Sequence, residues 1–93
     1  MNKYELTIIL PGKSTPAKQK AQLERIEKYI KSFKGVVSKV DEWGRLDLSY
    51  KIKGNESGVF MLLNVELNAD EVKKLGDKLK MEDEILRFLL IKI

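Results

Sequence analysis

The stretch Trp43-Gly44-Arg45-Leu46-Asp47-Leu48-Ser49-Tyr50-Lys51-Ile52 decides how the rest of the chain is read. Successive side chains of a strand point to opposite faces, so Leu46, Leu48, Tyr50 and Ile52 share one face and Asp47, Ser49 and Lys51 the other. The pattern predicts a half-buried strand whose apolar face needs cover. Upstream, Val36 to Val40 is also β-rich, and a glycine inside a strand pattern marks a bulge or a close backbone approach. The two runs therefore join as one bent strand over about 36–53, with Arg45 at the bend.

Working outward, Lys53 to Gly58 is rich in turn residues, so the apolar run Val59 to Leu67 is expected to return as the hairpin partner. Val59, Met61, Leu63, Val65 and Leu67 share one of its faces, and Phe60, Leu62, Asn64 and Glu66 the other. Towards the N-terminus, Lys3 to Leu10 alternates as a first strand and Pro11-Gly12 stops it. Ser14 or Thr15 then caps a helix with Pro16 in its first turn, where a missing N–H costs nothing. Leu23, Ile26, Ile30 and Phe33 recur at steps of three and four to about Lys34, and Gly35 is the expected left-handed C-terminal residue. Towards the C-terminus, Asn68 and Glu71 suggest a capping pair before a short helix carrying Val72, Leu75 and Leu79. Ile85 to Ile93 reads as a last strand.

The order is strand, helix, strand, strand, helix, strand. Right-handed crossovers put both helices on one face of a four-stranded antiparallel sheet, the ferredoxin-like split β-α-β arrangement (βαββαβ), an α+β fold. A length of 93 residues fits one domain, 1–93, with one core. The opposite sheet face has no helix, yet Phe60, Leu62 and both faces of the last strand stay apolar. That pattern fits either ordinary surface leucines on a twisted edge or a partner surface.

The chain has no cysteine and no histidine. Disulfides, thiolate nucleophiles, Cys/His zinc sites and imidazole bases are therefore excluded. No apolar run reaches the length of a membrane span and no signal-peptide core is visible, so a cytoplasmic protein is expected. The net charge is +4, and the segment 13–34 holds seven Lys/Arg against two Glu. Such a segment either attracts polyanions or is simply a solvated helix face.

Three motifs fail on inspection. Pro11-Gly12-Lys13-Ser14-Thr15 follows a strand and opens a helix, but Thr7 stands where a phosphate-binding loop needs its first glycine. Ser57 to Asn64 sits where a single-strand RNA-recognition sheet carries its stacking octamer, but the stacking positions are Val59, Met61 and Asn64. The pairs Asp41-Glu42 and Asp83-Glu84 have no apolar pocket signalled around them to split their pKa values. Basic residues near the chain ends remain: Lys3 on the first strand, Arg87 and Lys92 on the last, and Arg45 at the bend. Cations on a rigid sheet hold phosphates without reading bases.

The opening strand Lys3 to Leu10, the approach Val37 to Arg45, the quoted Trp43 to Ile52, Phe60 to Glu66 and Leu79 to Arg87 together resemble the bacterial small-subunit ribosomal protein six family, in order and over nearly the whole chain. The resemblance implies a ferredoxin-like, non-enzymatic assembly protein. It would pair with small-subunit ribosomal protein eighteen as a heterodimer and bind the central domain of the small-subunit rRNA. It needs no cofactor, metal or small-molecule substrate and no membrane. It carries phosphate contacts over to Lys3, Arg45, Arg87 and Lys92, and the partner interface to Tyr50, Phe60 and Leu62. Leu46, Ser49 and Lys51 depart from the family pattern, and Asp47 adds negative charge near the RNA side. Many members continue past the last strand in a polar tail; here the sequence ends at Ile93, so no tail-mediated contact is expected. The alternative from another class is a self-associating regulatory or ligand-binding domain of the same fold. An acyl-phosphate hydrolase is disfavoured, because the loop after the first strand offers Lys13 and no arginine.

Overall fold

The computed structural model describes residues 1–93. Its elements are β1 (Asn2–Pro11), α1 (Pro16–Ser32), β2 (Val36–Ile52), β3 (Asn55–Leu67), α2 (Ala69–Lys80) and β4 (Arg87–Lys92). The strands form one sheet in the order β2-β3-β1-β4, with every neighbouring pair antiparallel. The expected ferredoxin-like βαββαβ arrangement is thus present, with β1 and β3 central and β2 and β4 at the edges.

The core lies between the sheet and the two helices. Tyr4, Leu6, Ile8 and Leu10 of β1 and Val59 to Leu67 at alternate positions of β3 form one buried cluster with Ile26 and Ile30 of α1 and Leu75 and Leu79 of α2. Strict period-2 burial along β1 and β3 and steps of four along both helices produce this directly.

The strand from which the reading began is not where the core sits. Of Leu46, Leu48, Tyr50 and Ile52, only Ile52 is buried, while Leu46 is 44% and Tyr50 70% exposed. The register explains why. Leu46 pairs with Gly58 and Gly58 with Pro11, the last residue of β1, so beyond that point the β2–β3 hairpin has no third strand beside it. Beyond Asp47, which pairs with Ser57, the register breaks until Ile52 meets Asn55, so Leu48 to Lys51 oppose Glu56 alone. A shift of this kind destroys strict alternation, and the four residues do not share a face. The expected bend is present: the register also shifts between Glu42 and Gly44, and Gly44 has φ of 84°. The hairpin turns on Lys53 and Gly54, both at positive φ, as a tight two-residue connection requires.

Other boundaries differ in detail. Thr15, not Ser14, caps α1, its Oγ1 accepting from the Lys18 N–H at 3.2 Å. At the other end the left-handed residue is Lys34 (φ 63°), not Gly35. The Lys34 N–H donates to Lys31 O and the Gly35 N–H to Ile30 O, the paired bonds of a Schellman motif. Gly35 is small for a different reason, since a Cβ there would lie 2.7 Å from Leu67 Cδ1 and 2.8 Å from Glu66 O. Asn68 precedes α2 but its side chain makes no capping bond; Glu71 instead pairs with Lys74. Ile85 and Leu86 are buried ahead of β4, where the Leu86 N–H donates to Ile9 O, so the last strand begins at Arg87.

Candidate partner and nucleic-acid surface

Side chains of β1 and β3 that point away from the core build the open face, and the register aligns them in rows across all four strands. One row runs Gly44, Phe60, Ile9, Arg87; the next Asp41, Leu62, Thr7, Leu89; the next Lys39, Asn64, Glu5, Ile91. Phe60, Ile9 and Leu62 are half-buried among their neighbours, while Leu89 and Ile91 are 56% and 47% exposed. Phe60, Ile9 and Leu62 form one apolar cluster and Leu89 and Ile91 a second along β4, with Thr7 and Glu5 of β1 between Leu62 and the β4 pair and Leu46, Lys39, Asp41 and Arg87 around the edges. Patches of this kind on soluble proteins mark sites of interaction. Phe60 and Leu62 are therefore adjacent on this face as expected. Ile9 belongs with them, although the other β1 residues on that face, Glu5 and Thr7, are polar.

The stacking-octamer reading fails here for a visible reason: Val59 and Met61 point into the core. Tyr50 lies apart from Phe60 and Leu62, on the hairpin arm where the ladder is interrupted.

The four cations do not form one cluster. Arg87 stands in the row of Ile9 and Phe60, whereas Lys3 stands six residues along β1, opposite Glu66, roughly 20 Å away at 3.4 Å per residue. Lys92 pairs with Tyr4 beside Lys3, and the Ile93 N–H donates to Lys3 O. Arg45 lies on the far edge strand, three strand spacings or about 14 Å from β4. It pairs with the core-facing Val59, so it points to the helix side, and its Nε donates to Gly12 O at 2.5 Å. That bond ties the bend of β2 to the loop after β1. Arg87 and Lys92 stand at opposite ends of the free edge strand β4; Lys92, paired with the core-facing Tyr4, lies on the helix side, whereas Lys3, on the inner strand β1, faces the open side with Glu66.

A partly buried charge sits elsewhere. Arg25 of α1 reaches Glu82, just after α2, through Nε–Oε1 at 2.7 Å and Nη2–Oε2 at 2.9 Å, and the Tyr29 hydroxyl donates to Oε1 at 2.7 Å. The Glu82 side chain is only 10% exposed. The Arg25 hydrogen bonds hold its carboxyl below the usual carboxylate range, against the opposing effect of burial, with Tyr29 adding to them. In sequence these residues lie 57 apart, and Glu82-Asp83-Glu84 reads as a solvated turn, so nothing local signals the pair. A carboxyl whose folded pKa is depressed stabilises the fold above its unfolded pKa and loses that contribution as pH falls through the folded value. Glu82→Gln is expected to lower thermal stability at pH 7 and to leave a shallower loss on acidification below about pH 4.3. Melting curves across pH check this; parallel curves for the two proteins would remove the pair from the acid response.

No three His, Cys, Asp or Glu side chains gather where they would hold a metal ion, and no helix is long and apolar enough to cross a membrane.

The chain has counterparts among known proteins. Residues 3–92 match the family model described as ribosomal protein S6. The small ribosomal subunit protein bS6 of Alkaliphilus metalliredigens is 36% identical over 93 residues, covering 100% of this chain and 98% of that protein. The crystal structure of 30S ribosomal protein S6 from Thermotoga maritima superposes with a TM-score of 0.92 at 22% identity, over 99% of this chain and 87% of that one. The P2 domain of the chemotaxis kinase CheA from the same organism, solved in complex with the response regulator CheY, superposes with a TM-score of 0.67 at 14% identity, over 99% and 98%. The fold thus serves a signalling domain as well, and it is the sequence match along nearly the whole length that separates the two. On that match, this chain belongs to the ribosomal protein S6 family.

Proposed function

We propose that this chain is a structural, non-enzymatic component of the small ribosomal subunit, acting as one domain in the cytoplasm. In this reading it binds the central domain of the small-subunit rRNA as a heterodimer with ribosomal protein eighteen and so supports subunit assembly and translation. The observation that carries the proposal is the helix-free sheet face, apolar through Phe60, Ile9, Leu62, Leu89 and Ile91 and flanked by a free edge with Arg87 and Lys92 at its ends. An apolar face suits a protein partner, and spaced cations suit phosphates. Phe60 and Leu62 are assigned to the partner, with Tyr50 as an outlying contact. Lys3, Arg87 and Lys92 are assigned to RNA. Arg45 joins them with its Nη groups, its Nε being engaged by Gly12 O.

The test is binding to a central-domain rRNA fragment, with and without purified protein eighteen, at two salt concentrations. Salt-sensitive binding that tightens strongly with the partner is expected. In that complex Arg87→Ala with Lys92→Ala is expected to flatten the salt slope by about 1.8, since each phosphate contact contributes roughly 0.9. Absence of RNA binding in every condition, with self-association of the chain instead, would defeat the proposal.

A further inference from the structure

The β2–β3 arm, having outrun β1, closes over the segment between α2 and β4 and leaves a surface groove of about 520 Å³. Its floor is apolar: Ile52 and Leu86 are almost fully buried and Phe88 is half-buried. Its rim carries Lys51, Lys53, Lys80 and Arg87, and no carboxylate lines it. Lys51 has a loose partner in Glu56 at 3.5 Å, both well exposed, while none of the other three takes part in an ion pair. Four like charges around one depression repel one another unless an anion joins them. They are drawn from three separate places in the chain, the hairpin tip, the last turn of α2 and the start of β4, so composition alone does not disclose the cluster.

We propose that this groove binds a single-stranded RNA segment, its phosphates on the lysine and arginine rim and a base against the apolar floor. The inference rests on the RNA-binding reading above and adds to it a site centred on Lys53 and Lys80. Single-stranded rather than duplex RNA fits because a duplex presents phosphate and sugar outward and has nothing to set against an apolar floor, whereas an unpaired base does. An acidic polypeptide would satisfy the rim but leave the floor without an occupant.

Titration of oligouridylate into isotopically labelled protein, followed by amide chemical shifts, tests this directly. Shifts are expected at residues 51–53, 79–80 and 85–88, diminishing as salt rises. Lys53→Asn with Lys80→Gln should remove most of them; asparagine is chosen because position 53 has φ of 49° and asparagine tolerates that conformation. The same variant should reduce the salt slope of oligouridylate binding by about 1.4, two contacts at roughly 0.7 each. No shifts, shifts confined to α1 or to the Lys3–Lys92 end, or an unaltered slope in the variant would overturn the groove. So would poly-glutamate perturbing the same amides as strongly as RNA, or duplex RNA of equal charge binding as well as the single strand. Failure of the central-domain experiment with a responsive groove would instead defeat the ribosomal reading alone.

Discussion

Leu62→Lys is expected to reduce affinity for ribosomal protein eighteen by at least 30-fold while leaving the chain folded. Leu62 lies at the middle of the open face, with Thr7 and Asp41 directly opposite on its two neighbouring strands. A lysine there has a carboxylate across the ladder to pair with, so the sheet accommodates it at little cost; an aspartate would instead face Asp41 and repel it. If a partner covers the face, the ammonium and the Asp41 carboxylate are stripped of water together against apolar surface, a desolvation that their mutual attraction does not offset. Loss of a central interface anchor costs about 2 kcal/mol or more, a factor of roughly 30, and the desolvation of a charged pair adds to that. Titration calorimetry with purified protein eighteen measures the loss, and a melting curve shows whether the fold survives. Unchanged affinity in a folded Leu62→Lys protein would move the interface away from the open face, to Tyr50 and the hairpin arm or to a strand edge. Phe60→Glu offers a second reading of the same surface, since Phe60 is flanked by Gly44 and Ile9 one row along.

Local patterns carried most of the fold. The alternation in Lys3 to Leu10 and Val59 to Leu67, the stop at Pro11-Gly12 and the start of α1 at Pro16 are all written in short windows, and each element formed about its window, although β3 already begins at Asn55, inside the stretch read as turn. What short windows do not contain is the relation between strands. Whether Leu46 and Leu48 meet a core depends on where β1 ends relative to the hairpin, and that is set by the Pro11–Gly58 pairing, 47 residues apart in the chain. The Schellman end of α1 illustrates the same limit at smaller scale: Gly35 looked like the left-handed residue, but tight packing against Leu67 and Ile30 demands the glycine, and Lys34 takes the positive φ.

The candidate surface divides in the same way. Phe60 and Leu62 were legible because β3 alternates strictly and its open face failed to turn polar. The grouping of Lys51, Lys53, Lys80 and Arg87 was not, because a groove made by three segments has no periodicity to detect. Arg45 shows the converse. A cation at a strand bend reads as free for a ligand, yet the bulge turns it to the helix side, where Gly12 O takes its Nε. Sequence pattern thus located the faces of regular strands, the bend at Gly44 and the β2–β3 hairpin, whereas the register along the hairpin arm and the groove built from three segments needed the pairing of distant residues to be placed.

Two leucine truncations separate these accounts by stability. Leu63 is fully buried at the centre of β3, between Leu6 on β1 and Val40 on β2, within the cluster that Ile26, Ile30, Leu75 and Leu79 complete. Leu63→Ala removes those packing contacts and leaves a cavity that a four-stranded sheet cannot close, at a cost of about 2–5 kcal/mol. A domain of this size has roughly 5–14 kcal/mol in all, so this one change removes a large share. At about 4–8 °C per kcal/mol, the melting temperature is expected to fall by about 8 °C or more. Leu46→Ala deletes the same atoms from a position 44% exposed, beyond the end of β1, and is expected to cost about 0.5 kcal/mol or less. Were β2 the strand on which the core is built, the two truncations would cost alike. Denaturant unfolding of the pair decides the matter, with equal midpoint shifts counting against a core seated on β1 and β3.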